Sequence, residues 1–264
     1  MKYIALTFDD GREDNYSVAM PIMDKYEICG TVYITTGYID GTWKDSSTLL
    51  SPRRPLNIAE ICEMNTRGWE IGLHGDKHTT NIEDYMTSYE KVIKYLNGRR
   101  ENFGFSVPNS NISIEMIEGI KNKFYPEKLS YIRRGRRQQK LNFTKKILLG
   151  LYTFMGLQWA YNLFNKGNTN SKSNVLDISS IVVRNTDSSE MILKFIDKVS
   201  DGQICVLMLH SILPSEEYIK NKNPWIWEES KLDRLCAGLK KRMYKDEIRV
   251  MPLKDILYLK SVER

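Results

Sequence analysis

Histidine is scarce in this chain of 264 residues, which has only three. Two form a pair four residues apart in His74-Gly75-Asp76-Lys77-His78, and the third, His210, ends the apolar run Ile204-Cys205-Val206-Leu207-Met208-Leu209. Cysteine is scarce as well. Cys29, Cys62, Cys205 and Cys236 are scattered and show no paired spacing, which argues against a disulfide framework. Cys205, inside an apolar run, reads as a buried free thiol. A secretory leader is not apparent: Met1 is followed almost at once by the strand-like Tyr3-Ile4-Ala5-Leu6, with no charged n-region, long apolar core or cleavage site. The expected setting is therefore reducing and cytoplasmic. A membrane span is not expected either. Residues 147–164 carry no charge over eighteen positions, but Thr153, Gln158 and Asn162 interrupt them. Gln158, Asn162 and Asn165 share one helical face, which predicts a one-sided helix. No internal repeat or low-complexity tract is evident.

Composition is that of an ordinary globular chain, 41% hydrophobic and 27% charged, with ample material for one core. The length suits a single α/β domain of barrel type. The net charge of +6 is local. Residues 131–146 hold Arg133, Arg134, Arg136, Arg137, Lys140, Lys145 and Lys146 and no acid, and without these seven cations the net charge becomes −1. One positive patch fits this better than a protein-wide field for nucleic acid, so no nucleic-acid partner is expected.

Short apolar runs alternate with amphipathic stretches. Strands are predicted at Tyr3–Thr7, Thr31–Thr35, Trp69–Leu73, Phe103–Val107 and Ile204–Leu209. Helices are predicted at Tyr16–Tyr26, from Asn57 to Arg67, from Thr80 or Asn81 to Asn97-Gly98, from Ser188 or Ser189 to before Asp201-Gly202, and at Glu229–Tyr244. Such alternation means parallel strands joined by crossover helices. The region 127–175 breaks the rhythm and reads as a basic and apolar insertion in a single catalytic domain spanning 1–264.

The residues able to do chemistry fall at the carboxyl ends of these strands. Asp9 and Asp10 follow the first, His74 the third and His210 the last. Barrel enzymes build their sites at that end. Adjacent aspartates on extended backbone point in different directions, so one can hold a metal while the other faces a substrate. Gly11 permits a tight turn straight after them. His74 and His78 meet one ion if their segment curls, and two imidazoles with a carboxylate suffice for a zinc-like ion with an open position. His210, titrating near neutrality, suits a proton donor. Taken singly, each has a plain reading as well: a turn, an exposed histidine, a core histidine.

Together, Thr7-Phe8-Asp9-Asp10-Gly11, His74-x-x-x-His78 and Leu209-His210 resemble the polysaccharide deacetylase (NodB-homology, carbohydrate esterase) family. The resemblance follows the order and spacing of nearly the whole chain outside about 127–175. It implies a distorted TIM-like (β/α)7 barrel. It implies Asp9 as general base, Asp10, His74 and His78 as ligands of one divalent ion (Zn2+, with Co2+, Ni2+ or Mn2+ as alternatives), and His210 as general acid. The implied reaction removes an acyl group, N-acetyl first, from a sugar or glycoconjugate during surface-polysaccharide biosynthesis.

The chain departs from the family at three places. Gly75 stands where the family has Ser or Thr. In Phe105-Ser106-Val107-Pro108-Asn109-Ser110, which looks like the family's Phe-Arg-x-Pro-Tyr-Gly segment, Ser106 replaces the arginine that orients the base and Asn109 replaces the tyrosine. Asn109 still offers a backbone N–H to an oxyanion. Arg133, Arg134 and Arg136 are candidates for the missing guanidinium and for substrate anions; Arg184 is another. The carboxylate that supports the catalytic histidine has only Asp187 as a candidate. Trp225 and Trp227, in Pro224-Trp225-Ile226-Trp227, are candidate sugar-stacking residues. The basic cluster and the apolar stretch after it suggest peripheral contact of 131–164 with an anionic membrane, or a homodimer interface. Two other functions fit the same residues: another carbon–nitrogen hydrolase, such as a deformylase or cyclic amidohydrolase, and a catalytically silent carbohydrate-binding relative.

Overall fold

The computed structural model describes residues 1–44, 53–98, 101–110, 112–135, 142–155, 161–162, 165, 167–170, 175–221 and 223–262. Its strands, in chain order, are β1 (Lys2–Phe8), β2 (Thr31–Ile34), β3 (Glu70–Leu73), β4 (Phe103–Ser106), β5 (Leu129–Gly135), β6 (Thr169–Asn170), β7 (Ile178–Val182), β8 (Ile204–Leu209), β9 (Ser211–Leu213), β10 (Ile226–Glu228) and β11 (Ile248–Val250). Neighbours run β1-β2-β3-β4-β5-β7-β8, all parallel, and β8 pairs back onto β1 from Tyr3↔Ile204 to Phe8↔Leu209. The ring is thus a closed seven-stranded barrel. Its distortion is visible at β1: Lys2–Ile4 pair with β11, and only Thr7 and Phe8 pair with β2. The short β6 lies antiparallel on β8, and β9 pairs with β10 apart from the ring.

Period-two alternation sorts the core. Ile4, Leu6 and Phe8 pack outward into the large cluster under the helices. Tyr3 and Ala5 face inward with Tyr33, Tyr131 and Val206, closed from below by Leu253 and Ile256. Tyr33 and Tyr131 fit inside so small a barrel because glycines face them. A Cβ on Gly72 would lie 2.4 Å from the Tyr33 ring, and one on Gly104 would lie 2.1 Å from Tyr131.

Helix starts follow local chemistry. Asn57 caps α3 (Ile58–Thr66; α1 is Met20–Asp24 and α2 Thr36–Ile39) in a reciprocal capping box with Glu60. Asn81 caps α4 (Ile82–Tyr95) through the Asp84 N–H, and Ser188 caps the helix Ser189–Asp197 through Met191. The segment expected as one helix over Tyr16–Tyr26 is split: a wider turn covers Asn15–Ala19, and α1 starts at Met20 with Pro21 in its first turn.

The insertion boundary needs correcting. Residues 129–135, inside the expected 127–175 insertion, form barrel strand β5 between β4 and β7. The cationic sequence conceals a strand because Arg133 is buried inside while Arg134 points out to Asp177. After Gly135 the next described element is helical. There, after α5 (Ile114–Phe124), helix α6 (Phe143–Phe154) forms, and Phe143, Ile147, Leu148 and Leu151 stay exposed, as does Met155 just beyond it. Tyr161 turns inward against Phe195 at 5.7 Å. Among the described residues, no helix is long and apolar enough to cross a membrane. Gln158 lies outside the described residues.

Candidate functional site

The inward face of β1 carries on past its last residue, which sets Asp9 at the mouth of the barrel. Asp10 and Gly11 then adopt left-handed backbone, with φ of 75° and 71°. That conformation is costly for a non-glycine residue and gathers at functional sites. It turns Asp10 back toward the cavity that Asp9 faces. His78 is also left-handed, at φ 54°.

Asp10 Oδ1 lies 3.5 Å from His74 Nε2 and 3.7 Å from His78 Nε2, and the two imidazole nitrogens are 3.2 Å apart. Ligands about 2.0–2.1 Å from one tetrahedral ion sit about 3.4 Å from each other, so this triangle has the edges of a metal site. Asp10 Oδ2 is buried with no hydrogen-bond partner. The donor set and the orphaned oxygen both fit a divalent cation. Burial opposes ionisation of Asp10, yet the His74 hydrogen bond and the charges of His210, His74 and Arg12 hold its carboxyl far below the usual range. Burial likewise works against a charged His74, but Asp9 and Asp10 overcome it and raise its pKa. His74 Nδ1 donates to the Ser106 carbonyl at 2.8 Å, which orients Nε2 toward the triangle.

The loop that carries His78 is tied to a residue with no obvious sequence signal, Asp84. Its carboxylate accepts the backbone N–H groups of Asp76 (3.1 Å), Lys77 (2.7 Å) and Thr79 (3.1 Å). Gly75 is glycine because its φ is +81° and a Cβ there would lie 2.4 Å from Asp84 Oδ2. Any side chain at this position would collide with the Asp84 brace.

Asp9 has two partners. Ser106 Oγ donates to its Oδ2 at 3.3 Å, and the fully buried Arg133 forms an ion pair with Oδ1. Ser106 and Arg133 are register partners across β4 and β5. The guanidinium absent from position 106 therefore reaches Asp9 from the next strand. Arg133 is buried against Tyr33, its Cζ 4.7 Å from the ring centroid, so it holds Asp9 rather than a substrate anion as expected. Arg134 is corrected too: strand alternation points it outward, to Asp177 at 2.6 Å. Arg136 lies outside the described residues.

His210 follows β8, and its carbonyl accepts from Asn15 Nδ2 at 2.7 Å. Asn15 is itself held by Asp14, which also accepts the Ile212 N–H. His210 Nδ1 is buried without a partner. Burial lowers the His210 pKa, with His74 and Arg133 adding to the effect against the carboxylates of Asp9 and Asp10. Asp187 does not reach that nitrogen. Its carboxylate accepts the Arg184 N–H at 2.8 Å.

Burial pushes the Asp187 carboxyl up from 3.8 to about 6, against the pull of Arg184 and Lys231. Between about pH 4 and 6 the folded state therefore holds a proton that the unfolded chain releases, and stability falls as pH rises through that window. Asp187→Asn keeps an acceptor for Arg184 and removes the loss. The variant should be more stable than wild type by about 1–2 kcal/mol at pH 8 and equal to it at pH 4, read by urea unfolding. Equal stability at both pH values would refute this.

Trp225 lies against His210 with ring centroids 4.9 Å apart. Trp227 is a correction: it is 2% exposed and its indole N–H donates to the Asp187 carbonyl, so it anchors the loop rather than lining the site. Trp43, which carries no motif, stacks on His78 with centroids 6.2 Å apart. Asn109 is exposed on the rim after β4, in left-handed backbone with φ 55°.

Residues 1–124 match the sequence model of the polysaccharide deacetylase family. No curated protein is significantly similar in sequence. The fold is similar to that of a family 4 acetyl xylan esterase from Clostridium thermocellum, solved with a cobalt ion: TM-score 0.54, 17% identity, 99% of this chain and 96% of that one. It is also similar to the Xyl-CE4 domain of a multidomain xylanase from the hindgut metagenome of Trinervitermes trinervoides (TM-score 0.52, 15% identity, 98% and 91% covered). A polysaccharide deacetylase from Bacillus cereus is a third (TM-score 0.50, 11% identity, 96% and 92% covered). Identities this low speak for the fold alone. The family sequence pattern covers residues 1–124, a little under half of the chain, and the chain as a whole has the closed seven-stranded parallel barrel seen in these structures.

Proposed function

We propose that this protein is a metal-dependent deacetylase that hydrolyses the N-acetyl group of a sugar or glycoconjugate. The observation that carries the reading is the Asp10–His74–His78 triangle with an arginine-paired aspartate on one side and a histidine on the other. Asp10, His74 and His78 would hold a divalent ion, which would supply an acidified water and polarise the acyl carbonyl. Asp9, fixed by Arg133 and Ser106, takes the proton of the attacking water. Its freedom to swing is small, since both carboxylate oxygens are bound. His210 gives a proton to the departing nitrogen, and its lowered pKa makes the protonated ring a willing donor. The products are a free amine and acetate.

The test is acetate and amine release from N-acetylated oligosaccharides by the purified protein. Equal yields of both, abolished by a chelator and restored by Zn2+ or Co2+, are expected. Formate from formylated sugars with no acetate from acetylated ones would move the assignment to a deformylase. No hydrolysis by metal-loaded protein would leave a carbohydrate-binding relative.

A further inference from the structure

Arg12 follows the Asp9-Asp10-Gly11 turn and is 3% exposed. Charged side chains this buried are normally paired. Among the described residues no carboxylate lies within ion-pair distance of Arg12. Its guanidinium lies over the Tyr38 ring, with Cζ 4.5 Å from the centroid, and Nη2 donates to the Tyr38 hydroxyl at 3.3 Å. Nε is buried with no partner. A structural role needs no such group, because an apolar side chain would cover Tyr38 without desolvating a cation.

Its place in the molecule is at the site. Arg12 stands two residues after Asp10, directly behind the left-handed turn at Asp10 and Gly11. Tyr38 packs edge-on against Trp43 at 5.1 Å, and Trp43 stacks on His78. Arg12, Tyr38 and Trp43 thus form one wall beside the ligand triangle. Trp225, with Arg184 Cζ 5.4 Å from its ring centroid, stands beside His210. Asp9 is ion-paired with Arg133, and Asp10 belongs to the triangle that would hold a cation, so neither carboxylate is left to neutralise the Arg12 guanidinium, and an anion is what it lacks.

We infer that Arg12 is a specificity residue that receives an anionic group, phosphate or carboxylate, carried by the acylated sugar. Guanidinium is suited to both through paired N–H donors. Only the kinetic form of this inference rests on the deacetylase reading; the binding form does not.

The kinetic test compares kcat/KM for N-acetylglucosamine, its 1-phosphate and 6-phosphate, and the corresponding N-acetylated uronic acid. At least one anionic sugar should exceed the neutral one by tenfold or more, and the winner identifies phosphate or carboxylate. Arg12→Gln should bring that ratio close to one, and Arg12→Lys should keep part of it. Equal kcat/KM for neutral and anionic sugars in wild type would overturn the inference whether or not the variants fold. So would an equal loss on all sugars in Arg12→Gln, which would mean that Arg12 acts through Asp10. If no sugar is hydrolysed, calorimetry with the same sugars and with inorganic phosphate decides. Anion binding weakened tenfold or more by Arg12→Gln supports the site; no binding by wild type overturns it.

Discussion

Asp10→Ala and His78→Ala should each abolish stoichiometric metal binding, whereas Asp84→Ala should weaken it by about 10–100-fold. Asp10 and His78 supply two corners of the triangle. Asp84 touches none of the three donor atoms, but its carboxylate gathers the N–H groups of Asp76, Lys77 and Thr79 that set the course of the loop to His78. The readout is thermal or urea stability with and without Zn2+. An ion that binds only the folded state at a thousand-fold excess over its Kd stabilises by about 4 kcal/mol. Wild type should show an increment of that order, both ligand variants none, and Asp84→Ala a reduced one. An undiminished increment in Asp10→Ala would mean that the cation sits elsewhere.

The difference between ligand and brace is also the difference between what the sequence exposed and what it hid. Asp9, Asp10, His74, His78 and His210 stand at strand ends in short, unusual strings, so strand placement alone gathers them. The barrel was legible for the same reason: apolar strands buried on both faces stand out between amphipathic helices. Asp84 gives no such signal, because an acid in the first turn of a helix is ordinary capping chemistry. Strand β5 was hidden by its own function. In the sequence Arg133, Arg134 and Arg136 read as candidates for the missing guanidinium and for substrate anions, not as a strand, but Arg133 is neutralised inside by Asp9 and Arg134 outside by Asp177. Trp227 misled for a related reason. One residue apart, Ile226 and Trp227 both go into the core while Trp225 stays at the site, and composition does not rank two nearby tryptophans.

Arg133→Met should be the most damaging single change outside the ligands. The side chain is fully buried and its partner Asp9 is 3% exposed. Removing one member of a buried pair strands the other charge, at a cost of about 3–5 kcal/mol. The fall in turnover should be at least about 10²-fold, because a base freed from its partner loses its position. The double variant Arg133→Met with Asp9→Asn separates the two effects. It removes the stranded charge and should regain most of the stability while staying inactive. The register pairing of Ser106 with Arg133 allows a stricter test. Ser106→Arg alone adds a second guanidinium to a filled space and should destabilise. Combined with Arg133→Ser, it returns one guanidinium to the cavity from the neighbouring strand and should recover more turnover than Arg133→Ser alone. Wild-type stability and turnover in Arg133→Met would show that Asp9 does not depend on its ion pair. No gain from the exchange would show that the path of the arginine across β5, past Tyr33, matters as well as its charge.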